Sequence, residues 1–278
     1  MKKLLLYIGA GILLLSACHD LNLNPLSSGS TENWYSTETE VQMAVDELYR
    51  YDFWPEDGQQ QTDWSDDYTS RDLLTSFDDG TLNGQNAWVI SLWGNQYKAI
   101  SRANAVIEKS HRAIENGASA TTINRLIAEA KFHRAAAYAK LIVKFGDLPL
   151  VLTDVSTEEG LTMGRTDKSI VLAQIYKDFD DAISVLPTSY TDQQRATQGA
   201  ALALKARVAL IMEDWETAAD AAKAVMDLNI YELAIFFCLL QKTRMNLFSK
   251  FHVMLHMTFI WEQETEELTR YTMIYPVT

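Results

Sequence analysis

Cysteine is nearly absent: the 278 residues hold two, Cys18 and Cys238. With Cys18 placed at the end of a leader and Cys238 left without a partner, there is no disulfide framework, although an exported chain could form one. Basic residues are outnumbered, 24 Lys and Arg against 37 Asp and Glu, for a net charge of −13. So acidic a chain does not neutralise phosphates, which argues against nucleic acid and against an electrostatic grip on anionic lipid. Membrane-spanning runs are missing at the start of the chain: the uncharged stretch Leu4 to Ala17 covers 14 residues, short of the ~20 that cross a bilayer core. There is no phosphate loop, dinucleotide fingerprint or nucleophile elbow. His252 and His256 stand four apart, as zinc ligands on a helix can, but the Val-Met-Leu between them lacks the glutamate of a metalloprotease. Asp66, Asp67, Asp78 and Asp79 could offer a carboxylate pair for glycoside hydrolysis. Asp-rich loops are more often simply solvated. The expectation is a protein that is not an enzyme and uses neither metal nor cofactor.

What is present begins with Lys2 and Lys3, then the apolar run, then Leu15-Ser16-Ala17-Cys18. A positive start, an apolar centre and small residues before a cut describe a secretory signal. The cysteine directly after the small pair makes it a lipoprotein signal. Residues 1–17 are expected to be removed, leaving Cys18 as a lipidated N-terminus whose acyl chains (palmitate among them) anchor by ~0.8 kcal/mol per buried methylene. Residues 18–36, rich in Asn, Ser, Pro and Gly around Asn22 to Asn33, read as a tether.

From about Thr37 the pattern turns helical. Val41, Ala44, Val45, Leu48 and Tyr49 share a face, and this helix is expected to end between Tyr51 and Pro55. Residues 52–90 keep no sustained period, yet carry Trp54, Trp64 and Trp88. A long irregular stretch inside a folded chain is usually functional or disordered, and three tryptophans argue against disorder. After Ser91 a helix with Tyr97, Ile100, Ala103, Asn104, Ile107 and Ile114 on one stripe runs to about Gly117. Ile123 to Phe145 forms the next, with Gly146 closing it in a left-handed conformation and Pro149 preventing renewed helix. Arg134 falls in the apolar face of that helix, so it needs a buried carboxylate, Glu129 or an acid from a neighbouring helix. A connector over 153–166 leads to a helix capped by Asp167 or Ser169, carrying Ile170, Ile175, Phe179, Ile183 and Leu186 and stopped by Pro187. Gln194 to Met212 and Asp214 to Leu228 read as a tight alanine-rich hairpin, either of tetratricopeptide type or of an ordinary helical bundle, which periodicity alone does not separate.

Three segments in order resemble the SusD/RagB family of outer-membrane glycan-binding lipoproteins. The first runs from Trp93 through Tyr97, Ile100 and Arg102 to Ala103-Asn104. The second is Ala128-Glu129-Ala130-Lys131-Phe132-His133-Arg134, followed by Phe145-Gly146-Asp147-Leu148-Pro149-Leu150-Val151. The third spans Ala200 to Met226 with Asp214-Trp215 at its turn. The resemblance covers about residues 18–231. It implies an all-α fold of tetratricopeptide-like helical hairpins with long ligand-presenting loops, residues 37–231 forming the helical domain. It also implies a surface-exposed outer-membrane lipoprotein that captures oligosaccharide or polysaccharide for a SusC-like TonB-dependent transporter. A tetratricopeptide scaffold binding protein or peptide is the alternative.

Sugar rings present apolar C–H faces beside paired hydroxyls, so a glycan site needs flat aromatics next to planar hydrogen-bonding groups. The stretch from Asp63 to Trp88 offers both. Trp64, Tyr68 and Trp88 are the candidate platforms, and Asp67, Arg71, Asp72, Asn83 and Asn86 the polar partners. Trp34 and Trp93 abut helices and read as packing residues. Similarity fades after Tyr231, and from Leu233 to Trp261 there is not one Asp or Glu. Residues 232–278 are therefore expected to be an atypical tail, shifted in frame or substituted, with a divergent terminal helix as the alternative.

Overall fold

The computed structural model of the chain describes residues 34–54, 83–191 and 195–231. The signal and Cys18, most of the tether, residues 55–82 and the whole 232–278 tail lie outside these described residues, as do Cys238, His252 and His256. Within them the fold is helical, as the periodicity implies. The β pairing among the described residues is a single antiparallel bridge between Leu148 and Thr166.

Helix α1 spans Glu38–Asp46. Thr37 starts it with a capping box: its side chain accepts the Glu40 N–H, and the Glu40 carboxylate takes the Thr37 N–H at 3.0 Å. Val41, Val45 and the following Leu48 are wholly buried. The helix is shorter than its sequence suggests, tightening at Glu47 into a 3-10 turn that ends at Tyr49.

Helix α2, Ala87–Lys109, starts before Ser91 because Asn86 caps it, its side chain accepting the Trp88 N–H at 2.9 Å. Nor does it run unbroken to Gly117. At Ser110 the side-chain hydroxyl donates back to the Val106 carbonyl at 2.6 Å. Such back-bonding bends helices, and the chain continues as the short α3, His111–Glu115. The long α4, Ala120–Phe145, is the centre of the domain, packed against α1, α2 and the later helices. Gly146 ends it at φ +69, ψ −118. The positive φ is as expected, but the residue occupies a glycine-only region rather than the left-handed helical well.

The extended segment after Gly146 explains two of the sequence motifs. Tyr97 donates to the Pro149 carbonyl at 2.8 Å, and the Asn104 amide donates to the Val151 and Thr153 carbonyls. The Tyr138 hydroxyl donates to the Val151 carbonyl and accepts its N–H. Backbone that cannot pair in a sheet is thus satisfied by side chains spaced along two helices. The connector beyond it contains a short helix α5, Thr157–Thr162.

Helix α6, Lys168–Ile183, is capped by Asp167, whose carboxylate accepts the Ser169 N–H at 2.8 Å. Its buried line is Val171, Ile175, Asp178, Phe179 and Ala182, with Leu186 beyond. Ile170 is 56% exposed, so it does not belong to the core stripe. The reason is phase: Asp178 must face Arg134, and Val171, not Ile170, lies about two turns behind it on that side. Arg134 grips Asp178 with Nε and one terminal nitrogen, both at 2.7 Å, and gives its other nitrogen to Asn104 at 2.9 Å. The partner is therefore the neighbouring-helix acid. Glu129 is fully buried in a second network, accepting from Tyr49 at 3.0 Å and pairing with Arg195 at 2.8 Å and with Arg125. Burial pushes its carboxyl above the ordinary range, with the two arginines and Tyr49 opposing.

The final hairpin comprises α7, Gln198–Ile211, and α8, Trp215–Asp227. Thr197 caps α7, so the helix begins later than Gln194, and Asp214 caps α8. Ala206, Ala221 and Ala222 pack together where the two helices meet, as close helical approach requires. Ala219 lies instead on the exposed side.

Candidate functional site

Five of the candidate glycan contacts, Trp64, Asp67, Tyr68, Arg71 and Asp72, fall outside the described residues. The other three stand at the start of α2. Asn83 is exposed, its side-chain oxygen accepting the Gln85 N–H at 2.9 Å. Asn86 commits its oxygen to the cap of α2. Trp88 is therefore in the first turn of a helix and not in an irregular loop. It is half-buried, with the Lys144 ammonium 5.9 Å from its ring centroid. The structure brings these three together at one end of α2, and each side-chain oxygen has a local backbone role.

The surroundings of Trp54 are built differently. Trp54 stacks on Phe132 with ring centroids 5.9 Å apart and planes 15° from parallel. The Lys140 ammonium sits 4.1 Å from the Trp54 ring. The indole N–H is shared between the Leu48 carbonyl at 3.0 Å and His133 Nδ1 at 3.1 Å. Trp54 is thus a packing plug and not a sugar platform. His133, buried beneath it, has its basicity pushed down to about 3, first by burial and then by the Lys140 and Arg195 charges. The ring is therefore neutral near neutral pH.

An aromatic column joins α2 and α4. Trp93 meets Phe145 edge-on at 5.1 Å and Tyr97 at 4.8 Å, and Tyr97 meets Tyr138 edge-on at 6.4 Å. Trp93 is a packing residue, as its position suggests, and Trp34 is half-buried. Burial and the Tyr138 hydroxyl push the Tyr97 phenol well above its ordinary range. Burial pushes Tyr138 up to about 12.

Lys140 and Lys144 were not singled out by the sequence, where they look like cations favouring a helix C-terminus. The signal that could have found them is their spacing. Residues four apart on a helix share a face, and here that face meets both Trp54 and Trp88. Among the described residues no three His, Cys, Asp or Glu side chains gather as a metal site.

The geometry has counterparts in known proteins. A family model named SusD-like, described as starch-binding and associating with the outer membrane, matches residues 21–210. A SusD-like protein of Formosa agariphila is 28% identical over 244 residues, covering 82% of this chain and 46% of its own length. A SusD-like carbohydrate-binding protein of Bacteroides fragilis superposes with a TM-score of 0.59 at 24% identity, over 70% of this chain and 41% of that one. A laminarin-binding SusD-like protein superposes with a TM-score of 0.56 at 24% identity, over 69% and 44% of the two chains. The chain thus spans less than half the length of each of these relatives. The matched family segment takes in α1 to α6 and most of α7, including the Arg134 and Asn104 motifs that hold the extended segment. On that match, this chain belongs to the SusD-like family.

Proposed function

We propose that the protein is a cell-surface glycan-binding lipoprotein that captures oligosaccharide without altering it. The observation that carries this reading is the family match, laid over a domain whose motif residues Asn104, Arg134 and Tyr138 all serve the frame. With those residues spent on structure, recognition falls to the stretch between Trp54 and Trp88. Trp64, Tyr68 and Trp88 are the aromatic platforms in this reading. Asp67, Arg71, Asp72, Asn83 and Asn86 supply polar contacts, paired hydroxyls being suited to Arg and carboxylate groups.

The protein is held at the outer membrane by lipid on Cys18, displayed outward, and hands its glycan to a SusC-like TonB-dependent transporter. The sequence Leu15-Ser16-Ala17-Cys18 supports the anchor, and the family description supports the membrane. Residues 232–278 form a tail unlike the rest of the chain in composition. Electrophoresis through gels containing soluble starch, laminarin or xyloglucan tests the function. Retardation by at least one polysaccharide, with no reducing sugar released, is expected. Free migration through all three, or sugar release, overturns the reading.

A further inference from the structure

The buried carboxylate of Glu129 gathers donors from three parts of the chain. Arg125 comes from one turn back on α4, the Tyr49 hydroxyl from the 3-10 turn, and Arg195 from the residues leading into α7. Arg195 also reaches Asp46 on α1 at 2.6 Å, across 149 positions of sequence. Beside it the Ala196 N–H donates to the Tyr49 hydroxyl at 2.8 Å. The start of α7 is thus pinned to α1 and the 3-10 turn by a cluster centred on one carboxylate. The charges on neighbouring elements are committed elsewhere. Helix α2 gives Arg102 to Glu47, α6 gives Asp178 to Arg134 and Asp181 to Lys131, and α7 gives Lys205 to Asp180. His133, one turn along α4, stays neutral down to about pH 3. Tyr190 lies under the Arg125 guanidinium, 5.8 Å from its ring centroid.

A proton arriving on Glu129 meets donors on every side. Guanidinium groups only donate, and the Tyr49 oxygen already accepts the Ala196 N–H. Whichever carboxylate oxygen takes the proton, Arg195 loses its buried counter-charge. Its other carboxylate, Asp46, is 52% exposed, whereas Arg195 itself is only 8% exposed. A cation so enclosed is costly without a buried partner, and turning out to water relieves it. The coupling is reciprocal: Arg195 in place favours the ionised carboxylate, so the loosened arrangement binds the proton more tightly. Burial opposes ionisation, so Glu129 takes up its proton at a higher pH than an exposed glutamate does. We propose that Glu129 is an acid-operated latch: ionised, it holds Arg195 and Ala196 against α1 and the 3-10 turn, and protonated, it lets them loosen. Helix α7 itself stays seated, since Gln198 bonds the Ile183 and Pro187 carbonyls independently of the cluster. The latch stands apart from the glycan reading and holds whether or not a sugar is bound.

The test follows backbone amide exchange in the full-length chain by NMR, from neutral pH down through the glutamate range. Protection is expressed against the exchange of an unstructured chain at each pH, and the Glu129 carboxyl carbon reports its ionisation in the same samples. The Ala196 amide is expected to lose roughly tenfold in protection as Glu129 takes up its proton. The Thr166 amide, bonded to Leu148, should keep its protection over that step. Glu129→Gln should show the low Ala196 value already at neutral pH, and Asp46→Asn should keep the acid step. A flat Ala196 curve in the wild type overturns the proposal, as does a step that Asp46→Asn abolishes. Wild-type protection of Ala196 in Glu129→Gln at neutral pH overturns it too. Loss at Ala196 and Thr166 together also overturns it, because the loosening is then global. Should Glu129→Gln not fold, the wild type and Asp46→Asn decide by the same outcomes.

Discussion

The Trp54 indole N–H donates to Nδ1 of His133 at 3.1 Å, which fixes the tautomer of a histidine sealed in the core. Nδ1 must be the acceptor, so the ring proton is on Nε2, which finds no hydrogen-bond acceptor; the imidazole and Tyr49 rings meet at right angles, their centroids 4.3 Å apart.

A pH dependence follows from that arrangement. The folded protein lowers His133 from 6.5 to about 3, so the unfolded chain takes up the proton first as pH falls. The stability tied to neutral His133 is complete above pH 6.5, is lost progressively below it, and is fully lost below about 3. The slope approaches about 1.4 kcal/mol per pH unit within that window. Urea unfolding at about pH 7 and about pH 5 should show wild type losing more stability on acidification than His133→Gln. Equal losses would show that the histidine is not buried as described.

The Arg134–Asp178 pair should be the most sensitive polar contact in the frame. Asp178→Asn leaves a buried guanidinium without its counter-charge, a loss of about 3–5 kcal/mol. The midpoint of urea unfolding reads this directly, and a shift worth under about 1 kcal/mol would contradict the geometry. Lys223→Ala, removing an exposed pair with Asp227, serves as the control and should change little.

Trp88→Ala and Trp64→Ala should each weaken polysaccharide retention with the helical circular dichroism unchanged. Trp88 is half-buried at the start of α2, so its removal should also cost stability, about 1–2 kcal/mol for partial loss of an aromatic's burial. If both variants migrate as wild type does, recognition lies outside the stretch between Trp54 and Trp88.

Cys18→Ser should release the protein from the outer-membrane fraction or leave the signal uncleaved, read by fractionation and intact mass. Unchanged partition and unchanged mass would show that Cys18 carries no lipid.

How much of this was legible depends on the kind of signal. Asp167 and Gly146 announce helix ends because their chemistry there is local, and both ends stand where expected. The break at Ser110 was hidden, since neither glycine nor proline marks it and the hydroxyl bonds back only once the helix exists. Ile170 was misplaced because the Ile-Val-Leu run at 170–172 fits several helical phases, and only the Asp178 partner on α4 selects one. The partner of Arg134 was narrowed to Glu129 or a neighbouring-helix acid, but choosing Asp178 needed the packing of α4 on α6. For the site, the sequence named an aromatic stretch as the candidate. It did not show that Asn86 caps α2 and Trp88 sits in its first turn, nor that Lys140 and Lys144 on α4 stand against Trp54 and Trp88.

Because Tyr97, Asn104 and Tyr138 hold the extended segment by its backbone, the frame is nearly indifferent to the side chains that segment exposes at Leu152 and Thr153. Selection can rewrite those two positions freely, while the alanine hairpin and the Arg134 network answer only to folding. Surface identity and stability become separately heritable there.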